Sequence, residues 1–275
     1  MAQKPQIPDR RIQSLADKDV WVLDVDDCMY SMDCGLRHYI QHNIARVFNA
    51  VAAHDPQKDL ILQKLGATLA AQNISVPDIT HIRSEDLGAA FMPIVKTLHD
   101  VAPEKIGDYL HHFYGNAYDL ITPSHDLVKA FRIAQSKGIE IYAYTNGPSS
   151  QQADRDLHLQ RVMKRHGFDN AEIDHMRTQT YDLMMSVRAG RGKPEAQGMQ
   201  DFLNHFSINP STALMGDDTI KNLKTAAQFG MATLWTWTSA KAADEQAKKI
   251  ARNIHSIRVR DTGAALLQIA QAYNS

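Results

Sequence analysis

The sequence predicts an α/β protein, a doubly wound parallel sheet with an inserted all-helical segment. Three observations predict it. Short apolar runs such as Val20-Trp21-Val22-Leu23-Asp24-Val25 end abruptly in polar residues, as strands buried on both faces do. After Pro123 such runs alternate with helical patterns, the signature of a parallel sheet covered by helices. Between these two regions, residues 34 to about 115 read as helix only.

The elements follow in order. The first strand is the run from Val20 to Val25. Leu36, Tyr39, Ile40, Ile44, Val47 and Phe48 then recur at helical spacing, as do Leu60, Ile61, Leu65 and Leu69. A third stripe holds Leu87, Phe91, Ile94, Val95 and Leu98, and Pro93 predicts a kink or break in it. Ile106, Leu110, Phe113 and Tyr114 make a fourth. A helix around Leu127 to Ala134 stops at Lys137-Gly138, and a strand from Ile139 to Tyr144 ends in Thr145-Asn146-Gly147-Pro148. Next come a helix from Leu157 to Arg165, a weak strand near Glu172-Ile173 and a helix from Pro194 to Phe206. A strand from Thr212 to Met215 ends in Gly216-Asp217-Asp218. It is followed by a helix from Asn222 to Gln228, a strand from Met231 to Trp235 and a last helix with Ala264, Leu267 and Ile269. The expected organisation is a core made of residues 1–32 and 118–275, with residues 33–117 as a helical cap inserted into it.

Composition narrows the class. The chain has 275 residues, with 30 Lys and Arg against 31 Asp and Glu, for a formal net charge of -1. That balance argues against nucleic-acid polymers and polybasic membrane binding as general partners. Two cysteines, Cys28 and Cys34, exclude a disulfide scaffold. No apolar run is long enough to span a bilayer, and the opening MAQKPQIPDRRIQ lacks the apolar core of a secretory signal. The expected location is cytoplasmic, with no membrane partner, as a monomer or homodimer.

The polar clusters fall where open α/β sheets bind ligands, at the carboxyl ends of strands. Asp24 and Asp26-Asp27 follow the first strand, Thr145-Asn146-Gly147 the second, and Asp217-Asp218 the fourth. Lys193 stands before a helix, free to reach the same edge. Several carboxylates in one crevice need a cation, and an oxygen-rich set without Cys or His favours a hard ion such as Mg²⁺. Hydroxyl and amide donors, an ammonium and Mg²⁺ around a carboxylate make a site for a phosphoryl group. That carboxylate can act as nucleophile, and a second one two residues on can protonate the leaving oxygen and then activate water.

These segments also resemble a known family. Asp24-Val25-Asp26-Asp27-Cys28-Met29-Tyr30 is similar to the first motif of haloacid-dehalogenase-like (HAD) hydrolases. Thr145-Asn146-Gly147, Lys193-Pro194 and Gly216-Asp217-Asp218-Thr219-Ile220-Lys221-Asn222 resemble the second, third and fourth, in the family's order. The helical insertion is similar to the family's C1 cap, and the core to its Rossmann-like sheet. The resemblance implies an aspartyl-phosphate mechanism with Mg²⁺. Asp24 would be the nucleophile and a metal ligand. Asp26 would be the general acid/base, with its backbone carbonyl on the metal. Thr145 and Asn146 would hold phosphoryl oxygens, and Lys193 would neutralise nucleophile and phosphate. Asp218 would ligate Mg²⁺, Asp217 would do so directly or through water, and Asn222 would support that loop. Within the family, Tyr30 and the segment Tyr114 to Leu120 (YGNAYDL) look most like the pyrimidine 5′-nucleotidase branch, which implies a nucleoside 5′-monophosphate as substrate. That branch often carries a Gly-Thr-Thr-like turn in its cap; Leu65-Gly66-Ala67-Thr68 stands in the comparable place.

Other readings of the same residues are a phosphatase or phosphomutase for another small phosphorylated metabolite such as a sugar phosphate, and a non-catalytic binding protein on the same fold. Asp26 and the Asp217-Asp218 pair argue against a dehalogenase. A receiver domain is excluded by motif order, since the second acidic pair follows Lys193. Cys28 and Cys34 read as packing or loop thiols, the 13 histidines as surface or cap residues, Trp235 and Trp237 as packing, and Arg188 and Arg191 as solvated.

Overall fold

The computed structural model describes residues 10–30, 36–83, 86–102, 124–146, 192–237 and 245–273, together with 120, 164, 167, 169–170 and 179–180. The helices expected over 106–114 and 157–165, the strand near 172–173, and Cys34, Gly147, Arg188 and Arg191 lie outside the described residues, apart from Lys164.

The chain divides into two compact units, residues 1–31 with 122–275, and residues 32–121. The first holds a six-stranded, all-parallel sheet. Its strands are β1 (Val20–Leu23), β2 (Glu140–Ala143), β3 (Gln179–Thr180), β4 (Ala213–Asp217), β5 (Ala232–Thr236) and β6 (Ile257–Val259). They run in the order β3-β2-β1-β4-β5-β6. Strand order reverses direction between β1 and β4, which is where a doubly wound sheet opens its ligand crevice. Two strands, β3 and β6, lie where the sequence pattern places none. Ile257-Arg258-Val259 is a short edge strand whose charged centre hides it from an apolar-run search.

A helical turn α1 (Arg10–Gln13) precedes β1. The second unit contributes α2 (Leu36–His54), α3 (Lys58–Ala71) and α4 (Leu87–Val101). The core resumes with α5 (His125–Ser136), α6 (Ala196–His205), α7 (Ile220–Gln228), α8 (Glu245–Asn253) and α9 (Thr262–Ala272). Among the described residues, no helix is long and apolar enough to cross a membrane.

The strands are buried on both faces, and successive residues alternate between them. Val20, Val22, Tyr142, Tyr144, Met215 and Trp235 form one apolar layer with Met199, Phe202 and Leu203 of α6, Leu223 and Ala226 of α7, and Ala247 and Ala251 of α8. Trp21, Leu23, Leu214 and Leu234 are equally buried and belong to the opposite face, left to α5 and α9. Those two helices touch closely. A Cβ on Gly263 would stand 2.3 Å from Ser124 Oγ and 2.7 Å from the Leu127 nitrogen, so only glycine fits there. Ser124 Oγ is already committed, accepting from the Leu127 N–H as the N-cap of α5.

In the second unit, Ile40, Ile44 and Phe48 of α2 are buried, as are Ile61, Leu65 and Leu69 of α3 and Ala90, Ile94 and Leu98 of α4. Two expectations are corrected here. Leu60 is 44% exposed, because it lies one residue off the line of Ile61, Leu65 and Leu69. Pro93 does not divide its helix, since α4 runs through it. Burial of Ala90 before the proline and of Ile94 and Leu98 after it outweighs the one lost backbone hydrogen bond. Asn49 ties α2 to the segment between α3 and α4, donating to the Ile82 carbonyl at 3.0 Å and accepting from the Ile82 N–H at 3.1 Å.

Candidate active site

The sheet register sets the site. Leu23 pairs with Ala143 on one side and Gly216 on the other. The next residue on each strand is therefore level: Tyr144, Asp24 and Asp217. The Asp24 N–H extends the ladder to the Gly216 carbonyl at 2.8 Å. Gly216 has no room for a side chain, since its Cβ would stand 2.9 Å from Leu23 Cδ2.

Asp24, Asp217 and Asp218 are all buried, and one carboxylate oxygen from each lies within 4.8 Å of the others. Lys193, 9% exposed, sits among them. Its ammonium is 2.8 Å from Asp24 Oδ1 and 2.9 Å from Asp217 Oδ2. Three carboxylates against one ammonium leave an excess of two negative charges, the charge of one divalent cation. The donor set is all oxygen, with no thiolate or imidazole, so it fits a hard ion. Without such an ion, burial drives the Asp24 carboxyl up to about 7, against the opposing pull of Lys193 and with a further push from Asp217. Burial alone would weaken the charge on Lys193, but Asp217 and Asp24 outweigh it and hold that ammonium above the ordinary lysine value.

The rest of the machinery fixes these groups. Asp217, fully buried, accepts from the Thr219 N–H at 2.7 Å and from Asn222 Nδ2 at 3.1 and 3.0 Å. Asn222 thus does what the sequence suggests, holding the loop through Asp217. The Trp235 indole donates to the Asp218 carbonyl at 3.0 Å, so this buried ring also anchors the acidic turn. Thr225 of α7 donates to the Pro194 carbonyl at 2.6 Å, which binds the Lys193-Pro194 segment to the same helix as Asn222.

Asn146 has a definite task. Its amide nitrogen donates to the Lys193 carbonyl at 2.9 Å, and its amide oxygen accepts from the Lys193 N–H at 2.9 Å. Both ends of the side chain are spent on positioning Lys193. Thr145, buried at the end of β2, stands beside it. Asp26 lies in the turn after β1, outside the three-carboxylate group, and Tyr30 donates its phenolic hydrogen to Asp26 Oδ1. Asp27, at φ 58, gives that turn its left-handed residue, and the Met29 N–H closes it on the Val25 carbonyl at 3.0 Å. Cys28 is buried beneath, 4.0 Å from Thr262 Oγ1 and 3.9 Å from Thr236 Oγ1. Burial pushes its thiol well above the usual value, so it is an inert packing group. Trp237 carries the Arg260 guanidinium 4.8 Å above its ring.

The structure brings together Asp24, Lys193, Asp217, Asp218 and Asn222, with Thr145 and Asn146 on the neighbouring strand end and Asp26 in the adjoining turn. The positioning roles of Thr219, Thr225 and Trp235 are not visible in the sequence. Thr219 alone carries a local signal, as the residue that an aspartate two positions earlier can cap.

Comparison with known proteins agrees with this geometry. Residues 19–230 match the family model of the haloacid dehalogenase-like hydrolases. No curated protein sequence matches the chain significantly. Among solved structures, a protein assigned as a beta-phosphoglucomutase from Thermotoga maritima is 11% identical, with 92% of this chain and 98% of that one covered and a TM-score of 0.51. A HAD family hydrolase from Deinococcus radiodurans R1, with bound phosphate and sodium, is 17% identical over 94% and 97%, with a TM-score of 0.49. An L-2-haloacid dehalogenase is 13% identical over 92% and 97%, with a TM-score of 0.45. At such identities the likeness is one of fold.

Proposed function

The chain belongs to the haloacid dehalogenase-like hydrolases, and within that family we propose that it is a Mg²⁺-dependent phosphomonoester hydrolase acting through an aspartyl-phosphate on Asp24. The observation that carries this reading is the Lys193 ammonium held between the buried Asp24 and Asp217 carboxylates, with Asp218 beside them. In this reading residues 33–117 are a C1-type cap on a core of 1–32 and 118–275.

Asp24, Asp217 and Asp218, with the Asp26 backbone carbonyl, would hold Mg²⁺, which when bound supplies positive charge to the transferring phosphoryl group. The chain's own residues do the rest. An Asp24 carboxylate oxygen attacks phosphorus, and the bond from phosphorus to the leaving alcohol breaks. Asp26 gives its proton to the departing oxygen. The Asp26 carboxylate then takes a proton from a water whose oxygen attacks phosphorus, the bond to Asp24 breaks, and inorganic phosphate leaves. Thr145 and the backbone at Asn146 orient the phosphoryl oxygens. Lys193, positioned by the Asn146 side chain, offsets the charge of nucleophile and phosphate. Tyr30 fixes the carboxyl of Asp26 between its two proton transfers.

The substrate proposed is a nucleoside 5′-monophosphate, on the resemblance of Tyr30 and the YGNAYDL segment to the pyrimidine 5′-nucleotidase branch. The cytoplasm is the proposed location. A phosphate-release screen with Mg²⁺ over nucleoside monophosphates and sugar phosphates tests chemistry and substrate class together. UMP or CMP is expected to give the highest kcat/KM, and Asp24→Asn to abolish turnover with the fold retained. A sugar phosphate that outruns every nucleotide overturns the substrate class. Transfer of the phosphoryl group to another hydroxyl makes the protein a phosphomutase. No turnover on any member makes it a binding protein.

A further inference from the structure

At the other end of the core sheet from the carboxylates lies a cavity of about 620 Å³. It is bordered by Arg11, Lys248, Arg252, His255 and Arg258, with the hydroxyls of Ser14 and Ser256 at its wall. The place follows from the topology. All strands are parallel, so the start of β6 and the C-terminal end of α8 face away from the strand ends that carry Asp24 and Asp217. Four permanent cations converge there in a chain whose formal net charge is -1. No carboxylate is among the described lining residues.

Ordinary structural reasons account for part of this set. Arg252 stands in the last turn of α8, where a cation balances the helix dipole. Lys248 is one turn earlier on the same face. Arg258 is different, because it projects from the edge strand β6, and Arg11 comes from the distant α1. The side chains of Arg252 and Arg258 are exposed and make no hydrogen bond or ion pair with a described residue. His255, at φ 55, turns the chain between α8 and β6 and puts itself and Ser256 at the cavity. Arg252 and Arg258, brought together from two elements, repel one another unless an anion joins them.

We propose that this cavity is a second binding site, for a compact polyanion of the polyphosphate type. The chemistry is guanidinium and ammonium donors, suited to several phosphoryl oxygens at once. No Phe, Tyr or Trp is among the described lining residues and His255 is the one ring there, so the cavity offers a nucleobase little stacking surface and the phosphate chain itself is what is recognised. The concave shape and limited volume favour a small multivalent anion over a nucleic-acid polymer. The site is separate from the catalytic crevice by the length of the sheet, so it does not depend on the proposed hydrolase chemistry.

The test is calorimetric titration of the full chain with inorganic tripolyphosphate, in chelator and at low salt. The wild-type protein is expected to bind one equivalent, with affinity falling as salt rises. Arg252→Ala/Arg258→Ala is expected to weaken binding by about tenfold or more while moving the thermal midpoint by no more than about 4 °C, the share of the lost helix-end charge, and Arg252→Lys/Arg258→Lys to retain most of the binding. Absence of binding overturns the proposal. So does equal affinity in the alanine variant, which places the anion elsewhere, for example in the crevice around Lys193. A single-stranded oligonucleotide that binds more tightly than tripolyphosphate, with the same dependence on the two arginines, also overturns it and makes the surface a polymer site.

Discussion

Replacing Lys193 with methionine removes the ammonium but keeps most of the stem. The Lys193 side chain is 3% exposed, and its nitrogen stands 2.8 Å from Asp24 and 2.9 Å from Asp217. Without it, three buried carboxylates share a space in which their oxygens lie within 4.8 Å. At an effective dielectric constant of about 20, one such pair repels by roughly 3 to 4 kcal/mol. Breaking a buried ion pair costs about 3 to 5 kcal/mol on general experience, which agrees. For a chain of this size that is a fall of roughly 10 °C in the melting midpoint. The assay is calorimetry in chelator near pH 8, where Asp24 is largely ionised in the wild-type protein. Two results should accompany the loss. Lowering the pH to about 5 should recover much of it, because a proton replaces the missing cation. Adding Asp24→Asn to Lys193→Met should recover a similar amount, giving a coupling energy of about 2 kcal/mol or more between the two sites. A Lys193→Met protein that melts with the wild type, or substitutions that add without coupling, would refute the electrostatic account of the site.

Four further outcomes can be checked. The metal-free protein should lose stability as pH rises from about 4 to about 7. The Asp24 carboxyl sits higher when folded, at about 7, than when unfolded, so the unfolded chain gives up its proton first and rising pH favours unfolding. The loss is at most roughly 4 kcal/mol; Lys193 does not offset it, because its raised value acts only at alkaline pH. Thermal melts in chelator should show the slope, and Mg²⁺ or Asp24→Asn should flatten it. Asn146→Ala frees the Lys193 backbone and should cut kcat by roughly tenfold or more while the affinity for Mg²⁺, measured by calorimetry, changes little. Tyr30→Phe removes the hydrogen bond to Asp26 and should shift the pH dependence of kcat/KM with little effect on melting. Gly263→Ala drives a Cβ into the Ser124 cap and should cost about 2 to 4 kcal/mol, read by urea unfolding.

The fold class was legible in the sequence, and so was the meeting of acidic residues at one edge of the sheet. Asp24, Lys193, Asp217 and Asp218 announce themselves because each follows a strand or precedes a helix, and a parallel sheet gathers such positions at one edge. Asn222 and Tyr30 were singled out only through the family resemblance of the segments that carry them. Asn146 was visible as a polar residue but not for what it does, because its two partners are backbone groups of Lys193, 47 positions away. Trp235 reads as apolar packing, and its bond to the Asp218 carbonyl depends on the β4–β5 register, which no local pattern encodes. On the fold side, β6 was missed because an edge strand with a central arginine has no apolar run to detect. Pro93 misled because helix propensity is local, whereas the helix it interrupts is held by burial on both sides of it.

The register also explains why such a repulsive group of carboxylates is held in place. β1 lies between β2 and β4, and all four of its residues are buried. Asp24 cannot swing away from Asp217, because its N–H is bonded to the Gly216 carbonyl, and Gly216 in turn lies against Leu23. Asp217 is tied from the other side by Thr219 and Asn222. The repulsion therefore has three outlets: a proton on Asp24, the Lys193 ammonium, or a divalent cation. Lys193 is permanently present and covers one charge. Of the remaining two, one is met by a proton on Asp24 at low pH, and both, in the proposed reaction, by the metal at neutral pH. In the proposed reaction, Asp24 as a nucleophile that shares a proton near neutrality without the ion and is ionised with it would tie readiness for attack to occupancy of the site, using only the placement of one lysine and three carboxylates at neighbouring positions.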